Sequence, residues 1–179
     1  MSDRPFIIVS GLPASGKTTL AVKLAKALHL PLFDKDDILE ALFEHAGSVD
    51  VAERQRLSRA SDEVLVRVAA ASQGAVVVSF WRHETAEGAS GTPVAWVKAL
   101  SAALVEVHCL CSPEVAEQRF KARHRHPAHN DGARAPNLTA QFRRLADRGP
   151  LSLGVTIAVR TDKPYDFTSL VDEIRGHLD

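Results

Sequence analysis

The stretch FIIVSGLPASGKT, residues 6–18, decides the fold of this 179-residue chain. Its first half is a short apolar run that ends at Gly11, which is typical of a parallel strand buried on both faces. Its second half, residues 11–18, fits the pattern G-x-x-x-x-G-K-[ST] and leads into a helical pattern over residues 17–28. Glycines let the backbone fold around a phosphate, and the helix start adds positive potential. The stretch therefore predicts a loop that binds the phosphates of a nucleotide.

Each residue type in this loop suits a chemical task. Lys17 is expected to reach the β- and γ-phosphates, and the Thr18 hydroxyl to bind Mg²⁺. A glycine turn that fits the pattern by chance is the alternative, and the flanking strand and helix argue against it. The residues expected to contact ATP in this segment are Gly11, Pro13, Ala14, Ser15, Gly16, Lys17, Thr18 and Thr19.

Apolar runs alternate with helical patterns along the rest of the chain, which is typical of parallel βαβ units. No repeat or linker divides the chain, so we expect one α/β domain over residues 1–179. The predicted strands cover residues 6–10, 31–33, 75–80, 105–110 and 155–159. The predicted helices cover residues 17–28, 37–45, 51–72, 94–102, 113–124, 139–147 and 168–178. The fourth strand alternates apolar and polar residues, which predicts one less buried face.

The composition is that of a globular protein, with 22 basic and 22 acidic residues and a formal net charge of +0. This neutrality argues against a dedicated nucleic-acid or membrane-surface binder. No apolar run approaches the length needed to cross a bilayer. Cys109 and Cys111 are expected to be reduced core thiols, because their spacing predicts only a strained bridge and they lack partners for a zinc site. We expect a cytoplasmic protein, monomeric or homodimeric.

A cluster of carboxylates, Asp34, Asp36 and Asp37, follows the second predicted strand. Ligands of an open parallel sheet bind at the carboxyl ends of its strands, so these side chains should face the phosphate loop. Phosphoryl transfer to a hydroxyl needs a carboxylate that orients the hydroxyl and accepts its proton. Asp34 is a candidate for holding Mg²⁺ through water. A helix cap is the alternative role for Asp37, and a solvated turn is the alternative for Asp36.

A basic segment covers residues 119–148, where eight Lys and Arg face two Asp, a local excess of six positive charges. Such a segment is costly unless it meets anions, and Arg119 and Arg123 share one helix face. A solvated basic face is the alternative, which we favour for Arg143, Arg144 and Arg148. A metal site is disfavoured for His124, His126 and His129, since their loop has no cysteine or acidic partner. These histidines are expected to contact phosphate, acceptor or solvent.

With these features the chain resembles the small P-loop kinases, in particular the group of chloramphenicol phosphotransferase, the zeta toxins and the polynucleotide 5′-kinase domain. The resemblance implies a P-loop NTPase fold, with a five-stranded parallel sheet ordered 2-3-1-4-5, flanking helices and an arginine-rich lid at about residues 120–137. It implies that Asp36, at the start of the second helix, is the catalytic base. It further implies that Arg119 stacks on adenine, that Arg123 holds the transferred phosphoryl group, and that the turn at Thr161 contacts the purine.

The chain departs from this family at the end of the third strand, where Ser79 replaces the usual acidic residue. We expect Asp34 or Asp36 to supply the missing charge, with Ser79 holding a metal-bound water. Trp81 and Arg82 follow near the expected acceptor pocket, where Trp81 would stack on a ring and Arg82 would bind an acidic acceptor. A core position for Trp81 and a surface position for Arg82 are the alternatives.

The sequence thus predicts a phosphotransferase that moves the γ-phosphate of Mg·ATP to a hydroxyl of a small molecule, such as a nucleoside, a sugar or an antibiotic. Two alternatives stay open. One is a polynucleotide 5′-hydroxyl kinase, which the lid charge permits and the overall neutrality disfavours. The other is a regulatory nucleotide-binding module with weak ATPase activity, which Ser79 suggests. The predicted substrate-binding residues are Asp34, Asp36, Trp81 and Arg82.

Overall fold

A computed structural model describes residues 4–47, 49–84, 90–100, 103–129 and 138–178. They form a five-stranded, all-parallel sheet of order β2-β3-β1-β4-β5, which confirms the predicted fold class and strand order. The strands are β1 (Pro5–Gly11), β2 (Leu32–Asp34), β3 (Ala75–Val78), β4 (Ala103–Leu110) and β5 (Val155–Arg160). The α-helices are α1 (Lys17–Leu28), α2 (Lys35–Ala46), α3 (Val51–Ala71), α4 (Ala95–Lys98), α5 (Pro113–Ala122), α6 (Leu138–Ala146) and α7 (Phe167–Gly176).

The central strand β1 contributes side chains to two apolar clusters, one on each face of the sheet. Its side chains alternate between the faces of the sheet, so Ile7 and Val9 pack with α1 and α7, whereas Phe6 and Ile8 pack with α3 and the segment around α4. All four side chains are fully buried. A strand covered by helices on both faces has no polar alternation, which is why this run is continuously apolar. Among the described residues, no helix combines the length and apolar character needed to span a bilayer.

The second helix begins two residues earlier than predicted. The Asp34 side chain accepts a hydrogen bond from the backbone N–H of Asp36 at 2.9 Å, so Asp34 is the N-cap and Lys35 is the first helical residue. The capping role considered for Asp37 is therefore wrong. The predicted helix over residues 94–102 is also shorter, because its described part is helical only over α4.

Strand β4 has the predicted less buried face, on which Leu104 and His108 are half-buried and Leu110 is exposed, with Glu106 as its buried exception. Glu106 has no exposed surface, and its carboxylate accepts hydrogen bonds from the Ser10 hydroxyl at 2.5 Å and the Leu151 N–H at 2.8 Å. It also accepts a longer bond from the Leu153 N–H at 3.3 Å. The polar position in the alternation is thus a buried anchor for the segment that precedes β5. Cys109 and Cys111 are both free and buried, as predicted.

Candidate active site

The phosphate loop between β1 and α1 needs glycine at two positions. Gly11 has φ 129°, and a Cβ there would lie 2.5 Å from the Cys109 carbonyl oxygen. Gly16 has φ 92° and begins α1 with no side-chain cap, so the N–H groups of the first helical turn are left for a ligand. A phosphate at this position would complete the helix start.

Lys17 lies beneath this loop with its ammonium group bonded to backbone oxygens. Its Nζ donates to the carbonyls of Gly11 at 3.0 Å and Leu12 at 2.7 Å. Burial lowers the pKa of Lys17 to about 8, against the opposing effect of nearby acidic groups. A positive charge that is buried beside neutral acceptors is poised to bind an anion.

Two aspartates meet the loop at the end of β2, as the strand-end argument predicts. Thr18 Oγ1 donates to Asp34 Oδ2 at 3.2 Å, and Asp34 is only 5% exposed. Burial, and then the charge of neighbouring Asp36, raises the pKa of Asp34 to about 6. Asp36 is more exposed and forms an ion pair with Arg125. The site therefore holds one buried and one accessible carboxylate.

The described part of the predicted lid, residues 120–129, docks against α2. Besides the pair between Arg125 and Asp36, His129 Nε2 lies 2.5 Å from Glu40 Oε1 and its Nδ1 lies 3.9 Å from Asp36 Oδ1. Burial lowers the pKa of His129. Residues 130–137 of the predicted lid lie outside the described residues.

The two lid-helix arginines approach from the opposite edge of the sheet. Arg119 Nη2 donates to the Thr161 carbonyl oxygen at 3.2 Å, which joins α5 to the turn after β5. The Arg123 guanidinium lies over the Phe120 ring at 4.3 Å. Because α5 ends at Ala122, Arg123 occupies the helix C-cap instead of the helix body that was predicted.

These elements enclose one cavity of about 940 Å³. Of the predicted site residues, those that line it are Pro13, Ala14, Gly16, Lys17, Thr18, Thr19, Asp34, Asp36, Arg82, Arg119, Arg123 and Thr161. Gly11 and Ser15 lie in the loop but do not line the cavity.

Trp81 does not belong to this cavity, which corrects its predicted contact with the acceptor. It is 7% exposed, its Nε1 donates to the Val9 carbonyl oxygen at 2.9 Å, and its ring packs 6.2 Å from that of Trp96. The indole therefore completes the core under the sheet. The next residue, Arg82, does line the cavity, where its Nη2 donates to the Gly91 carbonyl oxygen at 3.1 Å.

Comparison with known proteins agrees with this geometry. Residues 6–147 match the family model AAA_33, described as an AAA domain. The chain belongs to this family. The chain is similar to the crystal structure of a candidate kinase from Chloroflexus aurantiacus, with TM-score 0.80 and 27% sequence identity. The superposition covers 100% of this AAA_33 chain and 100% of the kinase chain. The predicted P-loop kinase class is thus confirmed, while the narrower group with chloramphenicol phosphotransferase and the zeta toxins stays a prediction.

Further similarities are to proteins named as shikimate kinases. This AAA_33 chain is 39% identical to a shikimate kinase of Rhodococcus jostii over 77 residues, 41% of the chain and 44% of that protein. It is 31% identical to a shikimate kinase of Corynebacterium glutamicum over 97 residues, 52% of the chain and 57% of that protein. The matches thus span about half the length of these curated relatives. A shikimate kinase from Acinetobacter baumannii in complex with shikimate shares the fold, with TM-score 0.59, 17% identity and coverage of 97% and 92%.

Kinases of this fold use ATP, typically with Mg²⁺, and the residues of this AAA_33 chain fit both. The hydroxyl of Thr18 and the buried carboxylate of Asp34 form a pair of hard oxygen donors, which is the donor chemistry that Mg²⁺ prefers. The uncapped start of α1 and the ammonium group of Lys17 fit a polyphosphate. The donor set therefore suits Mg·ATP.

The helix predicted over residues 51–72 was expected to help shape the acceptor pocket, but no sequence motif singles out the residues of α3 that form this wall of the cavity. Five residues of this helix line the cavity, namely Arg54, Gln55, Ser58, Arg59 and Asp62. The last four lie one, four, five and eight positions after Arg54, which places all five on a single face of the helix. This polar stripe was visible in the sequence, but a solvated face gives the same pattern.

Proposed function

We propose that this protein is an ATP-dependent kinase whose acceptor is a small hydroxyl compound that carries an ionised acidic group. One observation carries the proposal: a phosphate loop, two carboxylates and a set of arginines surround a single cavity of about 940 Å³. A space of this size suits a nucleotide together with a small acceptor.

The nucleotide side of the cavity is assigned to the loop and the β4–β5 edge. ATP with Mg²⁺ supplies the phosphoryl group and an electrophilic centre. Lys17 binds the phosphates, while Thr18 and Asp34 hold the metal. Arg119, which is fixed to the Thr161 carbonyl, forms the wall against the base.

The acceptor side is assigned to α2, α3 and the segment after β3. Asp36 orients the acceptor hydroxyl and accepts its proton, and Arg125 and His129 hold the carboxylate in place from the lid side. Arg123 stabilises charge on the transferred group, which costs no reorganisation when it is already placed. Asp36 is more exposed than Asp34, so it is the carboxylate that an acceptor can reach.

The charge of the cavity wall supports an anionic acceptor. Nine Lys and Arg line it against three Asp, an excess of six among the described residues. The basic ones are Lys17, Lys23, Lys35, Arg54, Arg59, Arg82, Arg119, Arg123 and Arg125, and the acidic ones are Asp34, Asp36 and Asp62. The undescribed segments 85–89 and 130–137 contain Glu87, Asp131 and Arg134, too few charges to cancel this excess. Because Mg²⁺ offsets part of the charge of ATP, the nucleotide alone does not balance the wall.

Arg59 is the clearest candidate for contact with the acidic group. It lines the cavity on α3, and its side chain makes no ion pair or hydrogen bond with any residue of the described chain. Arg56 lies one turn earlier, is 72% exposed and pairs with Glu53. The two arginines therefore form a matched pair, one in the cavity and one on the surface of the same helix.

The test is ATP turnover with matched acceptors: gluconate against glucitol, shikimate against its methyl ester, and glycerol 3-phosphate against glycerol. We expect turnover only with a carboxylated or phosphorylated member, and none in Lys17→Met. Arg59→Gln should raise the acceptor KM about tenfold or more, the loss of one charge-assisted contact, and Arg56→Gln should leave it unchanged.

Equal turnover of a neutral partner would overturn the acidic-group requirement. Selective labelling of a 5′-hydroxyl oligonucleotide, with steep dependence on salt, would replace the small acceptor by a polynucleotide. Nucleotide binding without turnover of any acceptor would favour a regulatory module.

A further inference from the structure

The structure assigns a positioning role to the hydrogen-bond relay Ser79–Thr92–Asp62. We propose that Asp62, acting through Thr92, fixes the Ser79 oxygen as an acceptor at the end of β3 and so takes over the hydrogen-bonding part of the missing acidic residue. This inference rests on the proposed function for its catalytic consequence, but its structural part can be measured without an acceptor.

The direction of the relay follows from the number of protons in it. Thr92 Oγ1 donates to Asp62 Oδ1 at 2.7 Å. A threonine hydroxyl has one proton, so the 2.6 Å contact between Thr92 and Ser79 leaves Ser79 Oγ as the donor. The Ser79 proton is therefore committed away from the cavity, and only its lone pairs remain for a ligand.

Burial makes this arrangement rigid. Thr92 is fully buried and Ser79 is 3% exposed, so water does not compete for either hydroxyl. Ser79 nevertheless lines the cavity, and so does Asp62. A carboxylate at the end of β3 would present acceptor oxygens at this position, and the relay gives Ser79 the same acceptor character.

The ion pair of Asp62 connects the relay to the two catalytic carboxylates. Lys35 Nζ lies 2.8 Å from Asp62 Oδ1 and 3.2 Å from the Ser58 hydroxyl, with 9% of the lysine side chain exposed. Lys35 is the first residue of α2 and stands between Asp34 and Asp36 in the chain. The pair therefore ties the start of α2 to α3 and holds the half-buried charge of Asp62 in place.

The experiment measures how much Mg²⁺ increases the affinity for ADP, by calorimetry with and without the metal. Thr92→Val keeps the shape of the side chain and removes the hydroxyl, and Ser79→Ala removes the acceptor. We expect each variant to reduce the Mg²⁺-dependent gain about tenfold, with metal-free affinity unchanged and with no further loss in the double variant. Ser61→Ala is the control, since it removes a buried hydroxyl of α3 that does not line the cavity.

Urea unfolding of each variant separates a lost relay from a lost fold. A folded Thr92→Val protein with the full Mg²⁺-dependent gain would overturn the proposal, and so would a Ser61→Ala protein with an equal loss. If the wild type phosphorylates no acceptor while the variants still lose the Mg²⁺-dependent increase in ADP affinity, the proposed function is wrong and the proposed role of the relay is supported. If wild type and Thr92→Val phosphorylate an acceptor equally well, the proposed role of the relay is wrong and the proposed function is supported.

Discussion

The buried carboxylate of Asp34 destabilises the folded protein when no ligand is bound. It is nearly buried, and burial, reinforced by the charge of Asp36, raises its pKa from 3.8 to about 6. A carboxyl group whose pKa is higher in the folded than in the unfolded chain destabilises the native state wherever it must ionise. The rise corresponds to about 3 kcal/mol above pH 6, which disappears below about pH 3.8, where both states are protonated.

Asp34→Asn should therefore stabilise the metal-free protein. The amide keeps the cap on α2, because asparagine is an equally good N-cap, and it removes the buried charge. We expect the free energy of unfolding to exceed that of wild type by about 3 kcal/mol at pH 7.5 and by about 1 kcal/mol at pH 4.5. The same variant should lose phosphoryl transfer, since Asp34 is assigned to the metal.

Urea unfolding in the presence of a chelator measures this difference at both pH values. Asp172→Asn is the control, because Asp172 is 67% exposed on α7 and its change should stay within about 0.5 kcal/mol. The reasoning is refuted if Asp34→Asn is no more stable than wild type at pH 7.5, or if its gain does not shrink on acidification. In wild type alone, Mg²⁺ with nucleotide should restore stability, because the ligand binds only the folded chain.

Three other predictions follow from single contacts. Glu106→Gln should lower the free energy of unfolding by about 2 kcal/mol, because an amide cannot accept every hydrogen bond that the carboxylate accepts. Urea unfolding checks this, with the exposed Glu63→Gln as the control. A Glu106→Gln protein as stable as wild type would contradict the prediction. Gly11→Ala should abolish nucleotide binding in calorimetry, since its Cβ would meet the Cys109 carbonyl at 2.5 Å, and retained affinity would disprove the assigned loop geometry. Nucleotide binding at pH 8 should take up protons, because Lys17 has a pKa of about 8 in the free protein and bound phosphate favours its charged form. Affinity should thus fall as pH rises through 8; calorimetry in buffers of different ionisation enthalpy measures the uptake, which should vanish in Lys17→Arg.

The parts of the site that sequence predicted well depend on short-range signals. The loop of residues 11–18 joins a strand to a helix, and its glycines, lysine and threonine are defined by spacing alone. The meeting of Asp34 with Thr18 was predictable because all parallel strands end at the same edge of the sheet. The start of α2 was placed wrongly, since the same aspartates fit a cap, a turn or a catalytic role.

The parts that sequence predicted poorly depend on partners far along the chain. Trp81 is a core residue because its indole reaches the Val9 carbonyl, 72 positions away. Glu106 is buried because the N–H of Leu151, 45 positions away, faces its carboxylate. No local pattern distinguishes such side chains from a ring that stacks on substrate or from a solvated acid.

Sequence alone determined that this chain winds a parallel sheet around a phosphate loop, since glycine spacing and apolar periodicity act over a few residues. Only the tertiary structure decided which polar side chains face the cavity and which anchor the core. It joined Ser79 to Asp62 through Thr92 and made one face of α3 a wall of the cavity. The physical reason is that burial and hydrogen-bond direction belong to a side chain together with its neighbours, and folding selects those neighbours from across the chain.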